Sequence, residues 1–96
     1  MARNFYVYIL SNRRRTVLYT GITNSLSVRL AMHLAGKRSV FVSRYKVFDL
    51  VFMEEFDRPE DAIAREKQIK GWRREKKLAM ILKQNPKMRD LKRELI

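Results

Sequence analysis

Phe5-Tyr6-Val7-Tyr8-Ile9-Leu10, Ser11-Asn12-Arg13-Arg14-Arg15, then Thr16-Val17-Leu18-Tyr19-Thr20-Gly21: the order of these three blocks decides the fold. Residues 5–10 are all aromatic, β-branched or aliphatic, which suits a strand covered on both faces. Five polar residues follow, and residues 16–20 read as a second short strand that ends at Gly21. Two strands joined by so short a connection form an antiparallel hairpin most simply. Side chains alternate along a strand, so Tyr6 and Tyr8 share one face of the first strand.

Outward from the hairpin, Asn24 or Ser25 can cap a helix whose buried stripe is Leu26, Leu30 and Leu34, with Gly36 as its stop. Residues 37–46 are mixed and basic and read as a loop. Residues 47–52 read as a third strand with Glu54 and Glu55 at its end. Asp57-Arg58-Pro59-Glu60 has the signature of a helix start, with an Asp cap, Pro in the first turn and Glu three residues after the cap. That helix runs to Lys70 and breaks at Gly71. A further helix over residues 73–83 ends before Asn85-Pro86, and a last amphipathic turn holds Leu91 and Leu95. The order β-β-α-β-α-α predicts one α/β or α+β domain over residues 1–96, with a small sheet and helices packed on it.

Composition narrows the function classes. Lys and Arg number 22 against 10 Asp and Glu, a formal charge of +12. Such a field attracts polyanions, so nucleic acid is the first candidate partner and an anionic membrane surface the second. With no Cys there is neither a disulfide framework nor a thiolate zinc site, which fits a reducing cytoplasm. The apolar run near the N-terminus is too short for a signal-peptide core. No stretch approaches the ~18–20 apolar residues that span a bilayer. No helix pairs a wide apolar face with a basic one, so a membrane role is disfavoured. No zinc finger, helix-turn-helix or RRM-type motif is present to read sequence.

Three groups of residues could carry chemistry. Tyr19 precedes Gly21 at a strand end, where a backbone can approach a ligand closely. Arg29 and His33, the only His, lie four residues apart on one helical face and suit a phosphate clamp plus a proton donor or acceptor. Glu66 falls in a narrow helical sector with Ala62, Ile69 and Arg73, a carboxylate beside apolar neighbours and among many cations. It either pairs with Lys70 at i,i+4 or holds a metal ion, and pattern alone leaves both open.

Taken in order, these pieces resemble a known family. Tyr6-Val7-Tyr8, followed eleven residues after Tyr8 by Tyr19-Thr20-Gly21, resembles the paired motif of the GIY-YIG nucleases. A helix with Arg29 and His33 follows, then Ala64-Arg65-Glu66-Lys67-Gln68-Ile69-Lys70, which looks like the family's Glu-bearing helix, and Asn85-Pro86. The likeness covers residues 4–90 and is strongest to small stand-alone bacterial members, themselves similar to the N-terminal domain of an excinuclease. It departs where Tyr6 replaces a Gly and Thr20 an aliphatic residue. Phe41 and Tyr45 both lie near the place of a further tyrosine, and Tyr45 is favoured because Phe41 cannot transfer a proton.

The resemblance implies a three-stranded antiparallel sheet flanked by helices, and one Mg²⁺ or Mn²⁺ ion held by Glu66. It implies Tyr8 and Tyr19 as the motif tyrosines, Gly21 as the motif glycine, Arg29 as the phosphate-binding arginine, His33 as an auxiliary polar group and Asn85 as a distal polar residue. The implied activity is metal-dependent phosphodiester hydrolysis, with DNA as the first candidate substrate and RNA left open. Tyr19 would act as base towards water, which for a phenol near neutral pH requires neighbouring positive charge. Gly21, Tyr45, Lys70, Arg73, Arg74 and Lys77 are the residues expected to contact nucleic acid, together with Arg13, Arg14, Arg15 and the basic tail. Each phosphate neutralised adds about −0.9 to the logarithmic salt slope on duplex DNA. With almost the whole chain given to one module, a selective enzyme would need a targeting partner or would read DNA shape. The alternative is a relative that binds nucleic acid without cleaving it. A small basic ribosome-associated protein fits the charge but gives the Tyr, Arg, His and Glu set no purpose.

Overall fold

A computed structural model describes residues 4–34 and 44–92, except the side chains of His33 and Leu34. Strand β1 (Phe5–Ser11) is central, with β2 (Leu18–Thr23) and β3 (Asp49–Phe56) antiparallel on either side, in the order β2-β1-β3. Helix α1 (Leu26–Leu34) follows β2; α2 (Pro59–Lys70) and α3 (Arg74–Gln84) follow β3. This is the three-stranded antiparallel α+β domain expected, in the order β-β-α-β-α-α. Among the described residues no helix is long and apolar enough to cross a membrane.

Alternation along β1 divides the core in two. Tyr8 and Leu10 pack with Leu26 and Leu30 of α1 and with Val47, Leu50 and Leu91, and Tyr6, Tyr19 and Met53 lean on this cluster. Val7 and Ile9 point the other way, to Val51, Phe52, Ala62, Ile69 and Ile81, which covers α2 and α3. With both faces of β1 buried, its continuous apolar run is explained. Between Ile9 and Leu10 the β3 register shifts: Ile9 pairs with Phe52 but Leu10 with Leu50. Val51 is therefore the extra residue of a β-bulge, and Val51 and Phe52 both face the α2–α3 side.

Several boundaries differ from the sequence expectation. β2 runs to Thr23 rather than ending at Gly21, so Tyr19 and Gly21 lie inside the strand. Each has a β1 partner there, Leu10 for Tyr19 and Tyr8 for Gly21. β3 runs past residue 52 and takes in Glu54 and Glu55. Its added length is supported by Arg65, whose Nε donates to Glu54 at 2.8 Å, and by the Tyr6 hydroxyl, which donates to Glu55 at 3.4 Å. Asp57 is not the cap of α2: Pro59 fixes the first turn, so the cap position falls on Arg58, which makes no side-chain capping bond. α3 begins at Arg74, with Arg73 at its cap. Gly36, Phe41 and Leu95 lie outside the described residues.

The outer edge of β3 is closed by side chains. Gln84 accepts from the Met53 N–H at 3.1 Å and donates to the Met53 carbonyl at 2.7 Å, as a neighbouring strand would. Asn85 donates to the Val51 carbonyl at 3.1 Å, and Asp90 accepts from the Leu50 N–H at 3.0 Å. An edge strand so occupied cannot template another chain.

Candidate active site at the edge of the second strand

The site is built from a ring and a missing side chain. Tyr8 and Gly21 are partners across β1 and β2, and a Cβ on Gly21 would collide with the ring and hydroxyl of Tyr8. Tyr8 is fully buried in this arrangement. Gly21 itself is buried, and what it provides is room for the phenol rather than an open approach for a ligand's backbone. The Tyr19 ring stands beside Tyr8, centroids 6.5 Å apart and tilted by 38°, within the range of favourable aromatic pairs. The two tyrosines are thus brought together by register alone.

Tyr19 is half-buried and reaches the outer edge of β2. There it lines a shallow groove of about 360 Å³ with Leu18, Thr20, Lys70 and Lys77. The groove exists because α2 lies across β1 and β2 and delivers its last turn to that edge, where α3 begins nearby. The Arg74 guanidinium donates to the Arg15 carbonyl at 2.7 Å and ties the start of α3 to the β1–β2 turn.

Glu66 sits one helical turn before Lys70, with 16% of its side chain exposed, and the Lys70 ammonium lies 3.3 Å from its Oε2. Ala62 and Ile69 are buried as the helical wheel predicts, and Glu66 rides at the margin of that stripe. Arg65, its neighbour in sequence, turns instead to Glu54 and Gln68, and its guanidinium lies 5.2 Å from the Trp72 ring centre. Lys76 lies 4.5 Å from the same ring. Among the described residues no cluster of three or more His, Asp or Glu side chains could cage a metal ion. Of the expected site residues, Glu66 is the carboxylate on which a cation here would rest.

Arg29 is half-buried on α1, next to Leu30, whose side chain belongs to the Tyr8 cluster. Its N–H bonds to the Ser25 carbonyl at 3.0 Å, and the Thr23 hydroxyl holds Ser25 on both its N–H and its carbonyl, so the entry to α1 is set by Thr23. His33 lies one turn further along the same helix.

Other expected site residues are placed elsewhere. Asn85 is buried at the β3 edge, on the far side of β1 from Tyr19. Both its amide hydrogens are committed, to Val51 and Arg89 carbonyls at 3.1 and 2.8 Å, and its oxygen accepts from the Arg89 N–H at 3.0 Å. That is a turn-forming role, and it does not join Asn85 to the groove. Tyr45 is exposed, with the Arg44 guanidinium 5.8 Å from its ring centre. Arg73 is exposed, and its carbonyl starts α3 by accepting from Lys76 and Lys77. Arg15 is structural: at φ 60°, it bonds Asp49 at 2.7 Å, the Asn12 carbonyl at 2.6 Å and the Met88 carbonyl at 3.0 Å.

The chain is similar to known proteins in both sequence and fold. A family model described as the GIY-YIG catalytic domain matches residues 4–79, a span that holds Tyr8, Tyr19, Gly21, Arg29, His33, Glu66, Lys70 and Lys77 and stops short of Asn85. The chain is 38% identical over 76 residues to a UPF0213 protein of Staphylococcus haemolyticus, covering 79% of this chain and 92% of that one. It is 40% identical over 87 residues to a UPF0213 protein of Syntrophus aciditrophicus, covering 90% and 97%. Its fold is similar to the solution NMR structure of a UPF0213 protein from Bacillus halodurans, with a TM-score of 0.60, 28% identity and coverage of 94% and 95%. The family model matches most of the chain, residues 4–79, and the chain belongs to the GIY-YIG catalytic-domain family.

Proposed function

We propose that this chain is a divalent-metal-dependent endonuclease that hydrolyses phosphodiester bonds in DNA. The observation that carries the proposal is the groove at the β2 edge, where Tyr19 meets two lysines and one of them leads directly to a half-buried Glu66. Tyr19 and two lysines on one groove, with a carboxylate paired to one of those lysines, suit an anionic ester better than an apolar ligand.

The residues fit a hydrated Mg²⁺ or Mn²⁺ ion. A carboxylate oxygen is the donor such ions prefer, and Mg²⁺ commonly keeps its waters and rests on one or two carboxylates plus substrate phosphates. Glu66 already accommodates a cation in the Lys70 ammonium. When bound, the metal ion supplies Lewis-acid charge to the phosphate oxygens.

The chain's own residues supply the rest. Arg29 grips a non-bridging phosphate oxygen and stabilises charge that grows as water adds to phosphorus. Tyr19, acting as its phenolate, orients that water and takes its proton to become the phenol, while the P–O bond opposite breaks and the leaving oxygen is protonated from solvent. Tyr8, buried beneath this edge, acts through Tyr19 by fixing its ring; His33 is the candidate proton relay on α1. Lys70 and Lys77 hold flanking phosphates, and Arg73 adds charge beside them.

The Lys70–Glu66 pair favours a second reading, a family member that binds nucleic acid without cleaving it, since a carboxylate already matched by an ammonium needs no metal ion. One assay separates the two. Purified protein is incubated with supercoiled, branched and single-stranded DNA in Mg²⁺, Mn²⁺ or EDTA, beside Glu66→Ala. A nuclease gives metal-dependent product, falling about a hundredfold or more in Glu66→Ala while binding persists, in line with losses on removing a charge-stabilising group. Binding without product under every metal and substrate defeats the proposal and leaves the second reading.

A further inference from the structure

Lys70 belongs to two places at once. Its ammonium is 3.3 Å from Glu66 Oε2, and the same side chain lines the groove that holds Tyr19 and Lys77. Just over half of it is exposed, against 16% of Glu66, so the lysine is free to move and the carboxylate is held. An i,i+4 pair whose ammonium end lies largely in solvent is weak, so the ammonium leaves the carboxylate easily. Lys has three rotatable donors on a flexible stem, which lets one ammonium serve alternate partners a few ångströms apart.

We infer that Lys70 is a placeholder for the divalent cation on Glu66. It neutralises the carboxylate while the site is idle and moves to a substrate phosphate in the Tyr19 groove when the site is loaded. The inference rests on the metal-dependent reading above and adds to it an order of events. Metal ion and ammonium repel each other and compete for one carboxylate, so the protein without nucleic acid binds metal weakly. A phosphate that draws Lys70 into the groove removes the competitor, so metal and nucleic acid each favour the other's binding, as linkage requires.

The test uses the full chain without nucleic acid, titrated with Mn²⁺ at low ionic strength while free Mn²⁺ is read by electron paramagnetic resonance. Wild type is compared with Lys70→Met, which keeps the apolar stem and the helix, with Glu66→Gln, and with Lys67→Met as a control for net charge on the same helix. Lys70→Met is expected to bind Mn²⁺ about three- to tenfold more tightly, the effect of deleting one charge beside the ion in a partly screened setting. Lys67→Met changes affinity by less than about twofold, since exposed charges are strongly screened. Glu66→Gln loses the site. Unchanged or weaker Mn²⁺ binding in Lys70→Met, with Glu66→Gln still abolishing it, overturns the placeholder and leaves the metal reading intact. Equal gains in Lys70→Met and Lys67→Met overturn it as well, because the effect is then one of general charge. Wild-type binding in Glu66→Gln overturns the metal reading and this inference with it.

Discussion

Replacing Gly21 by Ala asks a methyl group and the Tyr8 ring to share one volume. Neither side can yield cheaply, because the ring is fully buried and the glycine is locked in register opposite it. Gly21→Ala should destabilise the protein by about 1–3 kcal/mol, the usual range for overpacking. The same change in a Tyr8→Leu background should cost clearly less, since the two sites couple through one contact. Urea unfolding of the four proteins measures this, and an equal penalty in both backgrounds refutes the explanation. Gly21 shows what a residue-level reading of sequence reaches. Its importance was legible from the Tyr-Thr-Gly run, but its partner was not. Pattern names residues on a face, whereas the identity of the ring above Gly21 depends on cross-strand register. Asn85 is a similar case: its residue type suited a polar site, and only the paths of β3 and residues 85–89 show that its amide is used up in holding them together.

At the scale of elements, apolar patterning found the three strands and the helices α1, α2 and α3, but residues 44–45, read as part of a loop, are helical, and turn chemistry misplaced some of the elements' ends. The start of α2 is instructive. Asp57 is a favoured capping type, yet Pro59 shifts the cap to Arg58, whose side chain makes no capping bond. Glu60 and Asp61 in the first turn complement the helix dipole instead. Arg58→Ser should therefore stabilise the fold by about 0.5–1 kcal/mol by capping the first turn. Little is lost in exchange, because the Arg58–Glu60 pair at 3.5 Å is highly exposed. Asp57→Ala should change stability by less than about 0.5 kcal/mol, as expected away from a cap. Thermal midpoints of the two variants decide the matter, and a large loss in Asp57→Ala would restore Asp57 as the cap. The β3 edge was not legible at all. Gln84 looks like any polar residue ending a helix, and only the fold makes its amide a substitute for a strand.

For the molecule as a whole, the charge of +12 was the plainest signal in the sequence, but not all of it is available to a partner. Arg15, Arg65 and Arg74 are spent on bonds within the fold, whereas Lys70 and Lys77 line the groove. Sequence could count these cations and could not sort them, because the sorting depends on which elements meet. The bulge in β3 has a different kind of consequence, for the lengths the chain can adopt. Leu50 faces α1 and so does Met53, while Val51 and Phe52 between them both face the other way. Side-chain parity along β3 therefore changes at Val51. Removing that one residue would restore strict alternation and leave Leu50, Phe52 and Met53 on their present faces. Removing Met53 would send Glu54 and Glu55 to the wrong sides, away from Arg65 and Tyr6. A chain lacking Val51 should keep a cooperative melt and one lacking Met53 should not, so β3 has a single position at which its length is negotiable.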